Sequence, residues 1–217
     1  MRVQGEFHSQ GYAVIEKLLP VEVAQAFIAR MEHDLAAQKL SYQSFAMEQL
    51  LSRQSTVEIL GTSYPPMLTL LWGLTPIVSH LVDRELLPTF DYFRIYQQGD
   101  ICRVHSDRPA CEYSLSLTLA YSDGKPWSLE LGRNRVDAPS DLYESFGSEP
   151  HSSVTLQPGD ALLYQGVYQR HGRVSPNPNR WSAHLFLHWV DRDGPYQDHA
   201  FDRLKAAEVA GGVAVAT

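Results

Sequence analysis

The chain has 217 residues, 44% of them hydrophobic, and a formal net charge of −7. That length suffices for one sizeable core and is short for two domains. The acidic balance, with Lys only at positions 17, 39, 125 and 205, argues against a nucleic-acid backbone as the main partner.

No basic segment leading into an apolar run opens the chain, so no signal peptide is expected. The most apolar stretch, residues 67–82, is interrupted by Gly73, Pro76, Ser79 and His80, which makes a membrane span equally unexpected. Pro20 starts a helix over residues 21–40, where Ala24, Phe27, Ile28, Met31 and Leu35 recur at helical spacing. Residues 44–60 read as a second helix through Phe45, Leu50, Leu51 and Val57, and Thr75-Pro76 begins a third, a capping residue followed by Pro near the first helical position. From Asp91 onward the pattern alternates. Residues 91–100 are an aromatic strand ending in a Gly turn, residues 112–121 the clearest strand, and Pro158-Gly159-Asp160 a turn feeding an apolar strand. Cys102 and Cys111 lack zinc-knuckle spacing, and a cytoplasmic setting is the expectation. Residues 133–150 form a polar insert of the length used by lids, and residues 206–217 a bland tail expected to fray. A single domain follows over 1–217: a helical N-terminal region over 1–90 packed on a sheet, a β-rich core over 91–195 and a tail over 196–217.

The chemistry concentrates in the second half. His105 and Asp107 lie between two strands, His171 follows a third, and Arg180 and Ser182 come shortly after it. Two imidazoles and one carboxylate that meet at a point make the facial set which leaves open positions on a non-haem iron(II). An Arg with a hydroxyl nearby is the fork for a carboxylate. His-x-Asp by itself is a weak pattern, and the flanking strands are what give it weight.

Taken together, Tyr96, Gly99, His105-x-Asp107, the Pro158-Gly159-Asp160 turn, His171-Gly172 and Arg180-x-Ser182 resemble the iron(II)- and 2-oxoglutarate-dependent dioxygenases, nearest to the prolyl-4-hydroxylase-like and phytanoyl-CoA-hydroxylase-like branches. The opening run from Gly11 to Ile15, followed by a Pro-started helix, fits the same resemblance. It implies a mainly β fold, a double-stranded β-helix (jelly-roll) core backed by N-terminal α-helices. It also implies Fe(II) held by His105, Asp107 and His171, and 2-oxoglutarate as co-substrate with its far carboxylate on Arg180, helped by Ser182 and Tyr96. Dioxygen takes the remaining position, and no catalytic residue beyond the metal ligands is implied. The implied activity is that of a hydroxylase acting on an unactivated C–H bond of a small molecule, amino acid or peptidyl residue, with succinate and carbon dioxide as co-products. The expected partner is thus a small-molecule or amino-acid-like substrate, with neither nucleic acid nor membrane. Two alternatives stay open: a 2-oxoglutarate-independent cupin-like metalloenzyme, and a non-catalytic jelly-roll binding module.

Strand parity assigns faces. If Arg180 points inward, so do Ser182, His184, Phe186 and His188, while Trp181, Ala183, Leu185, Leu187 and Trp189 form an apolar outer stripe for helices to cover. His184 and His188 read as pocket-lining or satisfied buried histidines. Arg94, Arg103 and Trp127 read either as substrate contacts or as ordinary surface and core residues.

Overall fold

Helical and alternating patterns separate into layers in the computed structural model, which describes residues 1–137 and 140–202. The N-terminal region carries β1 (Arg2–Gln4), α1 (Phe7–Gln10), β2 (Tyr12–Glu16), α2 (Val21–Ala37), β3 (Ala46–Met47), β4 (Thr56–Leu60) and α3 (Pro66–Val82). Then come β5 (Leu86–Gln97), β6 (Cys102–His105), β7 (Tyr113–Tyr121), β8 (Leu129–Arg135), β9 (His151–Val154), β10 (Ala161–Tyr164), β11 (Gln169–Arg173) and β12 (Trp181–Asp191). Strands β10-β7-β12-β5 form one wall and β6-β11-β8-β9 the other, with β2 and β1 extending the first wall at one edge and β4 and β3 at the other. Among the described residues all pairings are antiparallel. This is a double-stranded β-helix with helices on the outer face of its larger sheet.

The parity of β12 explains the layering. Ala183, Leu185, Leu187 and Trp189 are buried in one apolar cluster with Met31 and Leu35 of α2 and Met67, Leu71 and Val78 of α3. Ser182, His184, Phe186 and His188 are buried on the opposite face, inside the barrel. Trp189 completes the outer layer by donating its indole N–H to Thr75 Oγ1 at 2.9 Å, which removes the cost of burying that group unpaired.

Three local expectations change. Helix α2 stops at Ala37, because Lys39 takes a left-handed φ of 60° and the amides of Lys39 and Leu40 turn back to Ala36 O and Leu35 O, a Schellman-type end. The helix expected over 44–60 is absent. A 3-10 turn occupies Tyr42–Phe45 and β4 forms instead, since Val57 and Ile59 alternate onto the helix-covered face and pair with Ile95 and Phe93 of β5. Leu50, counted toward that helix, is exposed. Helix α3 begins at Pro66, well before Thr75, and carries Pro76 in its interior. The carbonyl that Pro76 cannot satisfy belongs to Trp72, an exposed residue, so water can serve it.

Of the 133–150 insert, residues 133–135 belong to β8 and residues 140–144 lie against β6. Val104 and Tyr143 exchange backbone bonds, Ser106 and Ser140 exchange amide-to-hydroxyl bonds at 2.8 Å each, and Glu144 joins Arg53 to Arg103. Cys102 and Cys111 are both buried. Among the described residues no helix is long and apolar enough to cross a membrane. The 206–217 tail lies outside the described residues.

Candidate metal centre

Strand register builds the centre. His171 of β11 pairs directly with His105 of β6, so two imidazoles on the same face of neighbouring strands come together, with ring centroids 4.3 Å apart. Asp107 sits two residues past His105, where its amide donates to Gly166 O at 2.9 Å and turns the carboxylate back over the pair. His105 Nε2 then lies 3.3 Å from Asp107 Oδ1, and His171 Nε2 3.5 Å from Oδ2. Two glycines make this possible. A Cβ on Gly166 would stand 2.4 Å from Asp107 Oδ2, and one on Gly172 would stand 2.8 Å from Cys102 O.

Hydrogen bonding sets the tautomers. His105 Nδ1 is 2.8 Å from Arg103 O, and His171 Nδ1 is 3.0 Å from Gln169 O. A carbonyl only accepts, so each Nδ1 carries the proton and each Nε2 presents its lone pair. Three acceptors therefore converge on one point, an arrangement that is repulsive until a cation lies between them. Burial raises the cost of ionising Asp107, yet His171 and His105 outweigh it and hold the carboxyl well below its usual range. Burial likewise opposes a charge on His171, but Asp107 and the Gln169 carbonyl carry its net shift upward. His105 is shifted downward by burial and by His171, against the pull of Asp107. His105 and Asp107 keep 12% and 15% of their side chains exposed, which leaves the point reachable from solvent.

Around the centre the barrel is aromatic on one side and polar on the other. Tyr164 packs against His171 with centroids 4.6 Å apart, and His188 stacks on Phe90 at 4.6 Å. Ser114 Oγ lies 3.3 Å from Asp107 Oδ2 and 2.9 Å from His188 Nδ1. Asp107, Cys111 and His188 also approach one another closely enough to share an ion, though only His105, Asp107 and His171 combine a facial donor set with fixed Nδ1 protons. Burial holds His188 down to about 3, with Asp107 opposing the shift.

The residues expected to hold an acid are not brought to this centre. Arg180 precedes β12, its side chain is 72% exposed, and both its backbone amide and its Nε are bound to Asp123. Inward parity begins only after that capture, at Ser182. Ser182 is fully buried and its hydroxyl accepts from Asn177 Nδ2 at 3.1 Å. It lies opposite Tyr96 and Tyr121, six residues and roughly 20 Å along β12 from His188. Tyr96 is buried with its hydroxyl accepting from Arg94 Nη1 at 3.1 Å. Arg94 in turn forms a buried ion pair with Glu58. Arg103 is spent outside the barrel on Glu144 and the carbonyls of Leu50 and Ser52. Trp127 is buried beneath Arg173, whose guanidinium lies 4.8 Å over its ring. Arg173 escaped the sequence reading, although the i, i+2 rule that joins His105 to Asp107 also joins His171 to Arg173. His184 and His188 do line the interior, but they are not satisfied: Nε2 of each is buried without a partner.

No protein-family model matches the chain, and no curated protein sequence does either. Solved structures match at the level of fold. A non-haem α-ketoglutarate-dependent carbocyclase, SnoK of nogalamycin biosynthesis, superposes with TM-score 0.67 at 13% identity, covering 87% of this chain and 83% of its own. HygX of Streptomyces hygroscopicus, solved with nickel and 2-oxoglutarate bound, gives 0.61 at 12% identity over 86% and 85%. A Pseudomonas putida prolyl-4-hydroxylase gives 0.55 at 13% identity over 84% and 95%. The chain thus has the double-stranded β-helix fold of these enzymes.

Proposed function

We propose that the chain is an iron(II)- and 2-oxoglutarate-dependent oxygenase acting on a small-molecule or amino-acid-like substrate. The observation that carries this reading is the convergence of His105 Nε2, His171 Nε2 and Asp107 within the barrel, with both Nδ1 protons spent on backbone carbonyls. His105, His171 and Asp107 would hold the metal, and two neutral nitrogens with one carboxylate are the donor set that suits non-haem iron(II). When bound, that metal with 2-oxoglutarate and dioxygen supplies the oxidising power that breaks an unactivated C–H bond, with succinate and carbon dioxide as co-products.

The chain's own residues do the rest. Arg103 O and Gln169 O fix the imidazole tautomers, and Ser114 braces Asp107. Tyr164, Tyr92, Phe90 and Phe186 wall the interior with rings, which excludes water and confines an oxidant to the substrate it meets. Tyr143 and Ser140 of the insert are tied to Val104 and Ser106, on either side of His105. Hydroxylation is the simplest outcome. Ring closure starts from the same C–H cleavage, and the similarity to a carbocyclase keeps it open.

The test is an anaerobic titration of the metal-free chain with Fe(II) and then 2-oxoglutarate, followed optically. A weak visible charge-transfer band should develop only when both are present and should be missing in His171→Ala. A chain that takes up Fe(II) yet gives no band and no response to 2-oxoglutarate would be a cupin-like metalloprotein instead. Failure to bind any divalent metal would leave a binding module. The substrate is then sought by succinate release across an amino-acid and metabolite library.

A further inference from the structure

Two arginines are fully buried among the described residues, Arg94 and Arg173, and only Arg94 has a carboxylate to pair with. Arg173 is 1% exposed. Its guanidinium donates to Trp127 O, lies over the Trp127 ring, and reaches across the barrel to His184 Nδ1 at 3.4 Å. A buried cation without a counter-charge is costly. The nearby acid that senses it, Glu130, spends its oxygens on Val174 N and Ser153 Oγ.

His184 sharpens the point. A guanidinium can only donate, so His184 Nδ1 must accept and the ring proton sits on Nε2. That N–H is buried and has no partner. Burial, then Arg173 and Arg94, hold the ring neutral, well below the usual imidazole range. Beside it Ser116 Oγ, on the inner face of β7 opposite Phe186, is also buried without a partner. The result is a positive, donor-lined position deep in the barrel, and it lies two residues along β11 from His171. One i, i+2 step on a strand is roughly 6.6 Å, the scale of a five-carbon diacid chelated at one end and held at the other.

We propose that Arg173, with His184 Nε2–H beside it, holds the far carboxylate of the 2-oxo diacid, and that Arg180 does not. This rests on the oxygenase reading above and refines it. The anchor comes from the same strand as the second histidine, so one short segment, His171 to Arg173, addresses both metal and acid.

The experiment compares 2-oxoglutarate with 2-oxobutyrate, which keeps the chelating end and lacks the far carboxylate. Binding of each to the Mn(II)-loaded, oxygen-free chain is measured by calorimetry, so turnover is not the readout. The wild-type chain should prefer 2-oxoglutarate by about ten- to a hundred-fold, the usual worth of a charge-assisted fork. Arg173→Gln should bring the ratio close to one with Mn(II) affinity unchanged, Arg173→Lys should restore part of it, and Arg180→Ala should leave it as it was. If Arg173→Gln does not fold, Arg173→Lys and His184→Phe decide, each expected to lower the ratio several-fold. A ratio that survives in Arg173→Gln with only a lower melting temperature means that Arg173 merely braces Trp127, and the proposal is overturned. So it is if Arg180→Ala collapses the ratio. A wild-type chain that binds Mn(II) and shows no preference overturns the oxygenase reading together with the anchor, whereas preference without dependence on Arg173 overturns the anchor alone.

Discussion

Two inward-facing positions of β11, His171 and Arg173, are chemical opposites. At His171 three acceptors converge with no donor among them, and at Arg173 donors converge with no carboxylate to meet them. Each arrangement is unfavourable alone, and each is relieved by a ligand of opposite character. A cation at one end and an anionic group at the other, joined through one small acid, satisfies both. The outer face of β12 offers the contrast: apolar contacts with α2 and α3 saturate it internally, and it asks for no ligand.

The largest effect should come from breaking the acceptor end. His105→Ala, Asp107→Ala or His171→Ala should each weaken Fe(II) binding by at least about a hundred-fold, while circular dichroism of the metal-free chain stays unchanged. The rise in melting temperature on adding metal should vanish with it. A variant that keeps full metal affinity would remove its residue from the ligand set.

Acidification should break the same end reversibly. Metal binding needs neutral imidazoles, and His171 is shifted upward, so protons compete from a higher pH than for an ordinary imidazole. Metal affinity should fall as pH is lowered, starting above the ordinary imidazole range; a flat pH profile would contradict the assignment. In the metal-free chain the sign reverses. The raised His171 contributes stability that is present at low pH and lost as pH rises through its folded value, and the depressed Asp107 contributes stability lost only as pH falls through its own.

Crowding the centre without touching a ligand is a milder test. Gly166→Ala puts a methyl 2.4 Å from Asp107 Oδ2 and 2.6 Å from Ser114 Oγ, which should cost about 1–3 kcal/mol in chemical denaturation and weaken metal binding as Asp107 shifts. Undiminished metal affinity in this variant would show that Asp107 has room to move.

Outside the barrel, Asp91 is 1% exposed, and neither carboxylate oxygen has a partner. Burial raises it to about 7, so it opposes the folded chain increasingly as pH rises from about 4, the unfolded value, and in full above about 7. Asp91→Asn should therefore stabilise the protein at pH 8 by about 1–3 kcal/mol, and by clearly less at pH 5, where only part of the penalty has built up; a loss of stability at pH 8 would mean that the carboxylate has a role there. The smallest effect belongs to Arg180→Ala, an exposed pair with Asp123, which should leave stability and 2-oxoglutarate affinity within about two-fold.

Much of this was legible in the amino-acid order. That His105, Asp107 and His171 meet was readable from the family resemblance together with strand period, which puts His105 and Asp107 on one face. The two faces of β12 were readable from strand period. The stretch 44–60 was not, since a few apolar residues fit either period until β5 offers an edge to pair with, and only then does Val57-x-Ile59 decide for a strand.

Sequence alone determined the donor types of the candidate metal centre, the jelly-roll alternation and the apolar stripe that helices must cover. Those are local properties, written at fixed intervals along single strands. Tertiary structure decided which arginine is buried in the barrel and which is at the surface. Arg180 falls one residue before β12, where Asp123 captures it at the surface, and Arg173 falls inside β11, where Trp127 and His184 close over it. A difference of one residue in where a strand begins moves a guanidinium between solvent and the barrel interior, and that boundary is set by the neighbouring turn rather than by the arginine itself.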